Sequence, residues 1–220
     1  MAVHLQRQIS KLKKMLLSLG AMCEEALADA IEAVNARDPE LAERVIAGDR
    51  AVDEAEIEVE EECLHTLALH QPVAFDLRFV VAVLKMTHDL ERIGDHAASI
   101  ADHGKTLTLS PEVPVMPFDF DRMSSLTLEM LRKSLDALVN IDAERAREVR
   151  ALDDEVDDIN RAMYSAVADA MVQYPSLTDQ YMHLSSVSRQ LERIADHACN
   201  IAKDVLYMAE GEIMRHSKRM

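Results

Sequence analysis

The chain has 220 residues, enough for one large domain or two small ones, each able to bury a core of its own. Acidic residues outnumber basic ones 40 to 24, a formal net charge of -16, which excludes a nucleic-acid surface because phosphate contacts need clustered Lys and Arg. Aromatics are 4% of the chain, Trp is absent and Gly and Pro number five and six, so helix formers dominate and an all-α fold is expected.

The amino-terminal stretch MAVHLQRQISKLKKMLLSLG spreads basic residues through its apolar positions. It reads as neither a signal peptide nor a membrane span, and a cytoplasmic location follows. Leu5, Ile9, Leu12, Leu16, Leu19 and Cys23 recur at alternating spacings of four and three, the seam of a long amphipathic helix running to about Arg37. Asp38 then caps a second helix, with Pro39 at its first position and Glu40 adding negative charge to the first turn; this helix ends near LHQP. A third begins after Pro72 and continues to about Leu107.

The segment LSPEVPVMP, from Leu109 to Pro117, holds three of the six prolines and stops any helix. After it the pattern restarts, with helices expected over 118–141, over 142 to about 173, and after Pro175 to about Ala209. Asp38 aligns with Asp142, Asp49 with Asp153, Asp53 with Asp157, Pro72 with Pro175 and Glu91 with Glu192, the offset slipping from 104 to 101. The expectation is two similar three-helix bundles, six long helices related by an internal repeat: residues 1–108, a Pro-rich linker over 109–117, and residues 118–220. Helices of about 30 residues would be roughly 45 Å long, giving an elongated molecule. The basic run RHSKR near the carboxy terminus is too short to anchor the chain to a membrane alone.

Cys23, Cys63 and Cys199 are widely spaced, odd in number and in apolar helical register, which points to buried free thiols. The chemistry lies elsewhere, in an octapeptide written twice: LERIGDHA from Leu90 and LERIADHA from Leu191. Within a helix Glu91 and Asp95 share a face, as do Glu192 and Asp196, and such like-charged pairs cost roughly 0.2–0.5 kcal/mol. The preceding helix of each half supplies its own pair, Asp49 with Asp53 and Asp153 with Asp157.

This many acids should give about seven i,i+4 acidic pairs by chance, so one pair alone reads as a solvated face. All four positions, however, stay acidic in both copies, while Asp89 has become Gln190 and Asp102 has become Lys203, which suggests that those two positions face solvent. Four carboxylates converging between two helices repel unless a cation neutralises them. Their oxygens suit Mg, Mn, Ca or iron ions, several of which bridging carboxylates can span. Arg92 and Arg193 follow the glutamates and point about 100 degrees away, either supporting the ligands or forming ordinary ion pairs. His96 and His197 are either nitrogen ligands or packing residues. Glu62 and His65 form the single Glu-x-x-His of the chain, whereas a ferritin-like di-iron oxidase needs two.

The stretch QPVAFDLRFVVAVLKMTHDLERIGDHA from Gln71, with LERIADHACNIAKDVLYMAEG from Leu191, resembles the PhoU family of bacterial phosphate-signalling regulators, and the resemblance covers the whole chain. It implies polynuclear iron or zinc bound through E(D)xxxD pairs, a homodimer, and negative regulation of phosphate uptake and the phosphate regulon. The motif falls on Asp49 and Asp53, Glu91 and Asp95, Asp153 and Asp157, and Glu192 and Asp196. The implied partners are the ATPase of a phosphate ABC transporter and a phosphate sensor histidine kinase, with membrane association only through those proteins. The expected protein is thus a metal-binding adaptor without catalysis. The readings beside it are a di-metal enzyme on the same carboxylates, such as a phosphohydrolase or oxidase, and a structural scaffold whose acids are solvated.

Overall fold

A computed structural model describes residues 2–110 and 114–210, with side chains from residue 4 onward. Residues 111–113 of the expected linker and residues 211–220, with the RHSKR run, lie outside the described residues. Six helices carry the chain: α1 (Ala2–Ala36), α2 (Pro39–His70), α3 (Ala74–Thr108), α4 (Phe120–Asn140), α5 (Ala143–Gln173) and α6 (Thr178–Glu210). A 3-10 turn at Pro175–Leu177 leads into α6, and no strand occurs among the described residues.

The seam read in α1 is the buried one: Leu12, Leu16, Leu19 and Cys23 are at most 1% exposed. The turns explain why successive helices fold back. At the end of α1, Arg37 adopts a left-handed φ of 53°, and the Asp38 N–H reaches back to Ala33 O at 3.1 Å, closing a Schellman-type turn. The Asp38 carboxylate then accepts from the Glu40 and Leu41 N–H groups, both at 2.9 Å, opening α2. The second repeat does the same with Ile141 at φ 52°, Asp142 N–H on Ala137 O at 2.9 Å, and the Asp142 carboxylate on Glu144 and Arg145 N–H. One aspartate thus ends one helix and starts the next, which leaves room only for an antiparallel neighbour.

Each repeat is a three-helix bundle, and α3 against α6 is the most extensive helix pairing in the molecule. One apolar core runs through both repeats, from Leu12 and Val80 to Leu191 and Val205. A smaller cluster of Leu107, Met163, Val167, Tyr181 and Leu184 closes the end where α3 finishes and α6 begins.

The α3–α6 seam also corrects one expectation. Asp89 does not face solvent: it is 9% exposed, bonded by His197 Nδ1 at 2.7 Å and by Asn200 Nδ2 at 3.3 Å. Its counterpart Gln190 donates to Ser99 Oγ at 3.1 Å. Ser99 and Asn200 are themselves equivalent by the repeat, so the two contacts are copies of one contact related by an approximate twofold axis. The two copies use different chemistry for it, Asp89 accepting from Asn200 and Gln190 donating to Ser99.

Candidate metal centre

The antiparallel run of α2 and α3 stacks the Asp49–Asp53 turn against the Glu91–Asp95 turn. One oxygen from each of Asp49, Asp53 and Asp95 lies within 4.8 Å of the others. Gly94 permits this approach, because a Cβ there would stand 2.9 Å from Val52 Cγ1 and 3.4 Å from Asp49 Oδ1. Asp49 therefore rests against bare backbone of the facing helix.

The electrostatics are those of a site short of positive charge. Burial first, then Asp53 and Asp95, push the Asp49 carboxyl above its usual range; burial and then Asp95 do the same to Glu91, with Arg92 opposing. Asp49 Oδ1 and Glu91 Oε2 are both buried without a hydrogen-bond partner. Arg92 folds back along its own helix, donating from Nη1 to Asp95 Oδ2 at 2.8 Å and bringing Nε to 3.3 Å from Glu91 Oε2. The second distance is close enough for Coulomb attraction but outside hydrogen-bonding geometry, so Glu91 Oε2 remains an unused acceptor. A cluster of hard oxygen donors in which Asp49 Oδ1 and Glu91 Oε2 accept no hydrogen bond fits a metal cation.

The second repeat builds the counterpart less tightly. Burial, followed by the neighbouring acids, raises Asp153, Glu192 and Asp196, with Asp157 contributing to all three. Here Asp153 accepts a hydrogen bond from the Cys199 thiol, and Lys203 opposes the rise at Asp153 and Asp196. Burial pushes Cys199 up to about 12, as it does Cys23, whose thiol donates to Leu90 O at 3.1 Å. Both remain thiols and hydrogen-bond donors at neutral pH.

Of the eight sequence-predicted carboxylates, the structure brings oxygens of Asp49, Asp53 and Asp95 within 4.8 Å of one another; Glu91 in the first repeat, and Asp153, Asp157, Glu192 and Asp196 in the second, are near enough to raise one another's pKa or that of a neighbouring acid but do not converge that closely. Sequence reasoning missed Gly94, Cys199 and Lys203; the exchange of Gly94 for Ala195 within the octapeptide was the available signal. The histidines of the octapeptides turn the other way, into the α3–α6 seam. The His96 and His197 rings lie 5.5 Å apart, and burial, then His197, lowers His96 to about 4. Glu62 and His65 line an open groove between α1 and α2, where Lys11 pairs with Glu62 at 2.5 Å.

A family model described as the PhoU domain matches the chain twice, at residues 16–103 and 120–205. The phosphate-specific transport system accessory protein PhoU homolog of Aquifex aeolicus is 36% identical over 215 residues, 97% of this chain and 96% of that protein. The homolog of the same name from Caulobacter vibrioides is 37% identical over 194 residues, 88% of this chain and 84% of its own. Among solved structures, PhoU from Pseudomonas aeruginosa superposes with a TM-score of 0.91 at 31% identity, covering 94% of this chain and 99% of that one. The phosphate transport system regulatory protein PhoU from Streptococcus pneumoniae gives 0.82 at 27% identity, covering 95% and 98%.

Proposed function

The chain belongs to the PhoU family, and we propose that it is a cytoplasmic, metal-binding regulator of phosphate uptake that represses the phosphate regulon without catalysing a reaction. It acts through the ATPase of a phosphate ABC transporter and a phosphate sensor histidine kinase, and assembles as a symmetric homodimer. The transporter link rests on the names of the relatives, which are accessory proteins of a phosphate-specific transport system. No helix among the described residues is long and apolar enough to cross a membrane, which fits recruitment through protein partners.

The metal part of the reading is carried by the convergence of Asp49, Asp53 and Asp95, with Asp49 Oδ1 and Glu91 Oε2 buried and without hydrogen bonds. Asp49, Asp53, Glu91 and Asp95 would hold metal in the first repeat, and Asp153, Asp157, Glu192 and Asp196 in the second; iron or zinc is proposed as the native ion. Bound metal supplies the positive charge that each cluster lacks. The acids themselves set the consequence: each cluster joins an outer helix, α2 or α5, to the α3–α6 spine, so its neutralisation governs how firmly that helix is held. The outer helices carry exposed apolar residues, Ile57, Leu64 and Leu69 on α2 and Tyr164 and Val172 on α5, surfaces suited to a partner.

Elemental analysis of protein purified without chelators or a polyhistidine tag tests the site. Metal should be present, and replacing Glu91 and Asp95 by Ala should remove the first repeat's share only. Deleting the gene should raise phosphate-regulon expression in phosphate-rich medium, and unchanged expression would refute the regulatory role.

A further inference from the structure

A second group of metal-ligating side chains lies outside both carboxylate clusters, where the last turns of α3 meet the start of α6. His103 Nδ1 and His183 Nδ1 stand 3.0 Å apart across the two repeats. Their rings are tilted by 59° with centroids 5.2 Å apart, so the two nitrogens converge while the rings diverge. His183 also lines a cavity of about 290 Å³ with Asp179, Gln180, Ser110 and Thr106. Gln180 donates from Nε2 to Ser110 Oγ at 2.7 Å and leaves Oε1 buried without a partner.

Two neutral imidazoles at this spacing share one hydrogen bond, which requires opposite tautomers. The spacing also fits a metal. With metal–nitrogen bonds of about 2.0–2.1 Å, two nitrogens on one ion are separated by about 2.9 Å at a right angle and by about 3.3 Å at the tetrahedral angle. The observed 3.0 Å lies between these, so only a few tenths of an ångström of ring movement separates the hydrogen-bonded pair from a chelating one. Asp179 lies four residues before His183 on the same cavity, and Asp102 adjoins His103, so carboxylates are at hand to offset a divalent charge. Burial first, then His183 and Arg189, lower the His103 pKa, with Asp102 opposing, which keeps the ring neutral and its lone pair available near neutral pH.

From this convergence we propose a second kind of metal site: a divalent transition-metal ion of zinc type held between the repeats by His103 Nδ1 and His183 Nδ1, with water completing its coordination. Such an ion clamps the carboxy-terminal end of α3 to the amino-terminal end of α6. Its imidazole ligands set it apart from the two carboxylate clusters, each of which lies within one repeat, and it stands or falls independently of them.

Zinc alone is the probe, added to the full chain labelled with ¹⁵N at histidine. As Zn²⁺ is added, the Nδ1 resonances of His103 and His183 should move together to metal-bound positions. They should do so equally in a variant with the four cluster acids of α3 and α6 neutralised, Glu91→Gln, Asp95→Asn, Glu192→Gln and Asp196→Asn. His103→Gln and His183→Gln, substitutions on different helices, should each abolish this binding event in calorimetry or weaken it at least about tenfold. The proposal is overturned if both Nδ1 resonances stay in place at saturating zinc, or if zinc stoichiometry and affinity are the same in wild type and in both glutamine variants.

Discussion

Gly94→Ala tests whether the first carboxylate cluster depends on helix spacing. The added Cβ would sit 2.9 Å from Val52 Cγ1, whereas comfortable carbon–carbon contact begins at about 3.5 Å. Val52 is 3% exposed and β-branched within α2, so it has one strongly preferred rotamer and little room to turn. The strain must then be relieved by moving α2 from α3 by roughly 0.6 Å, the difference between those two distances. Overpacking costs about 1–3 kcal/mol, against a gain of about 1 kcal/mol from replacing Gly by Ala inside a helix. Metal-free protein should lose roughly 0–2 kcal/mol, and at about 2–4 °C per kcal/mol its Tm should fall by a few degrees. Metal–ligand distances tolerate only about 0.2 Å, so affinity at the first cluster should fall about tenfold or more while the second cluster is unaffected. Val52→Ala in the same chain should restore metal affinity. Calorimetric metal titration with thermal melts in chelator supplies both readouts. A Tm that rises by the full propensity gain, with unchanged affinity, would refute the spacing argument.

Four further outcomes follow from the geometry. The folded-state pKa values of Asp49, Glu91, Asp153, Glu192 and Asp196 are raised, so the native state holds protons the unfolded state releases and these groups lose stability as pH rises from the ordinary carboxylate values of 3.8 and 4.5; His96, lowered from 6.5 to about 4, works oppositely. In chelator, Asp49→Asn should therefore stabilise the protein more at pH 7 than at pH 4, and His96→Gln should lessen the loss of stability between pH 6.5 and 4, both measured by urea midpoints. Arg37→Gly should raise Tm, by relieving a left-handed residue worth about 1 kcal/mol, and a fall would count against the turn assignment. Asp89→Ala should cost about 1–3 kcal/mol in denaturant melts, because it strands His197 and Asn200 at the repeat interface; a cost below about 0.5 kcal/mol, typical of surface sites, would contradict its burial.

The elements were legible because each is marked by local chemistry: the 4–3 seam of α1, the capping Asp38 and Asp142, and the prolines after each second helix. The left-handed residues were not, since nothing in Arg37 or Ile141 signals a positive φ and the tight connection between antiparallel helices imposes it. The acid pairs were visible as i,i+4 repeats, and their pairing across helices followed from antiparallel order. The fold-back of Arg92 onto Glu91 and Asp95 is a rotamer choice, and the Cys199 bond to Asp153 joins two helices, so neither leaves a trace in spacing. Asp89 misled because its divergence to Gln190 in the second copy reads as the freedom of a solvent-facing position; its burial is created by the pairing of α3 with α6.

That pairing gives each octapeptide helix two chemically distinct faces. On α3, Asp89, His96 and His103 recur every seven residues, and on α6 His183, Gln190, His197 and Asp204 do the same, so both rows follow the heptad of a packed seam. Lys85 with Asp204, Gln190 with Ser99, Asp89 with Asn200 and His103 with His183 join them in antiparallel order. Polar groups in such a seam fix register, because a slip of one turn would strand them all. Glu91 and Asp95, two and six residues beyond Asp89, are rotated by about 200° and 240° from that row and face α2 instead. The letters shared by the two octapeptides thus combine a carboxylate face turned to the outer helix with a histidine face turned to the other repeat. Any movement of α2 against α3 would therefore act on a helix whose other side packs against α6 of the second repeat.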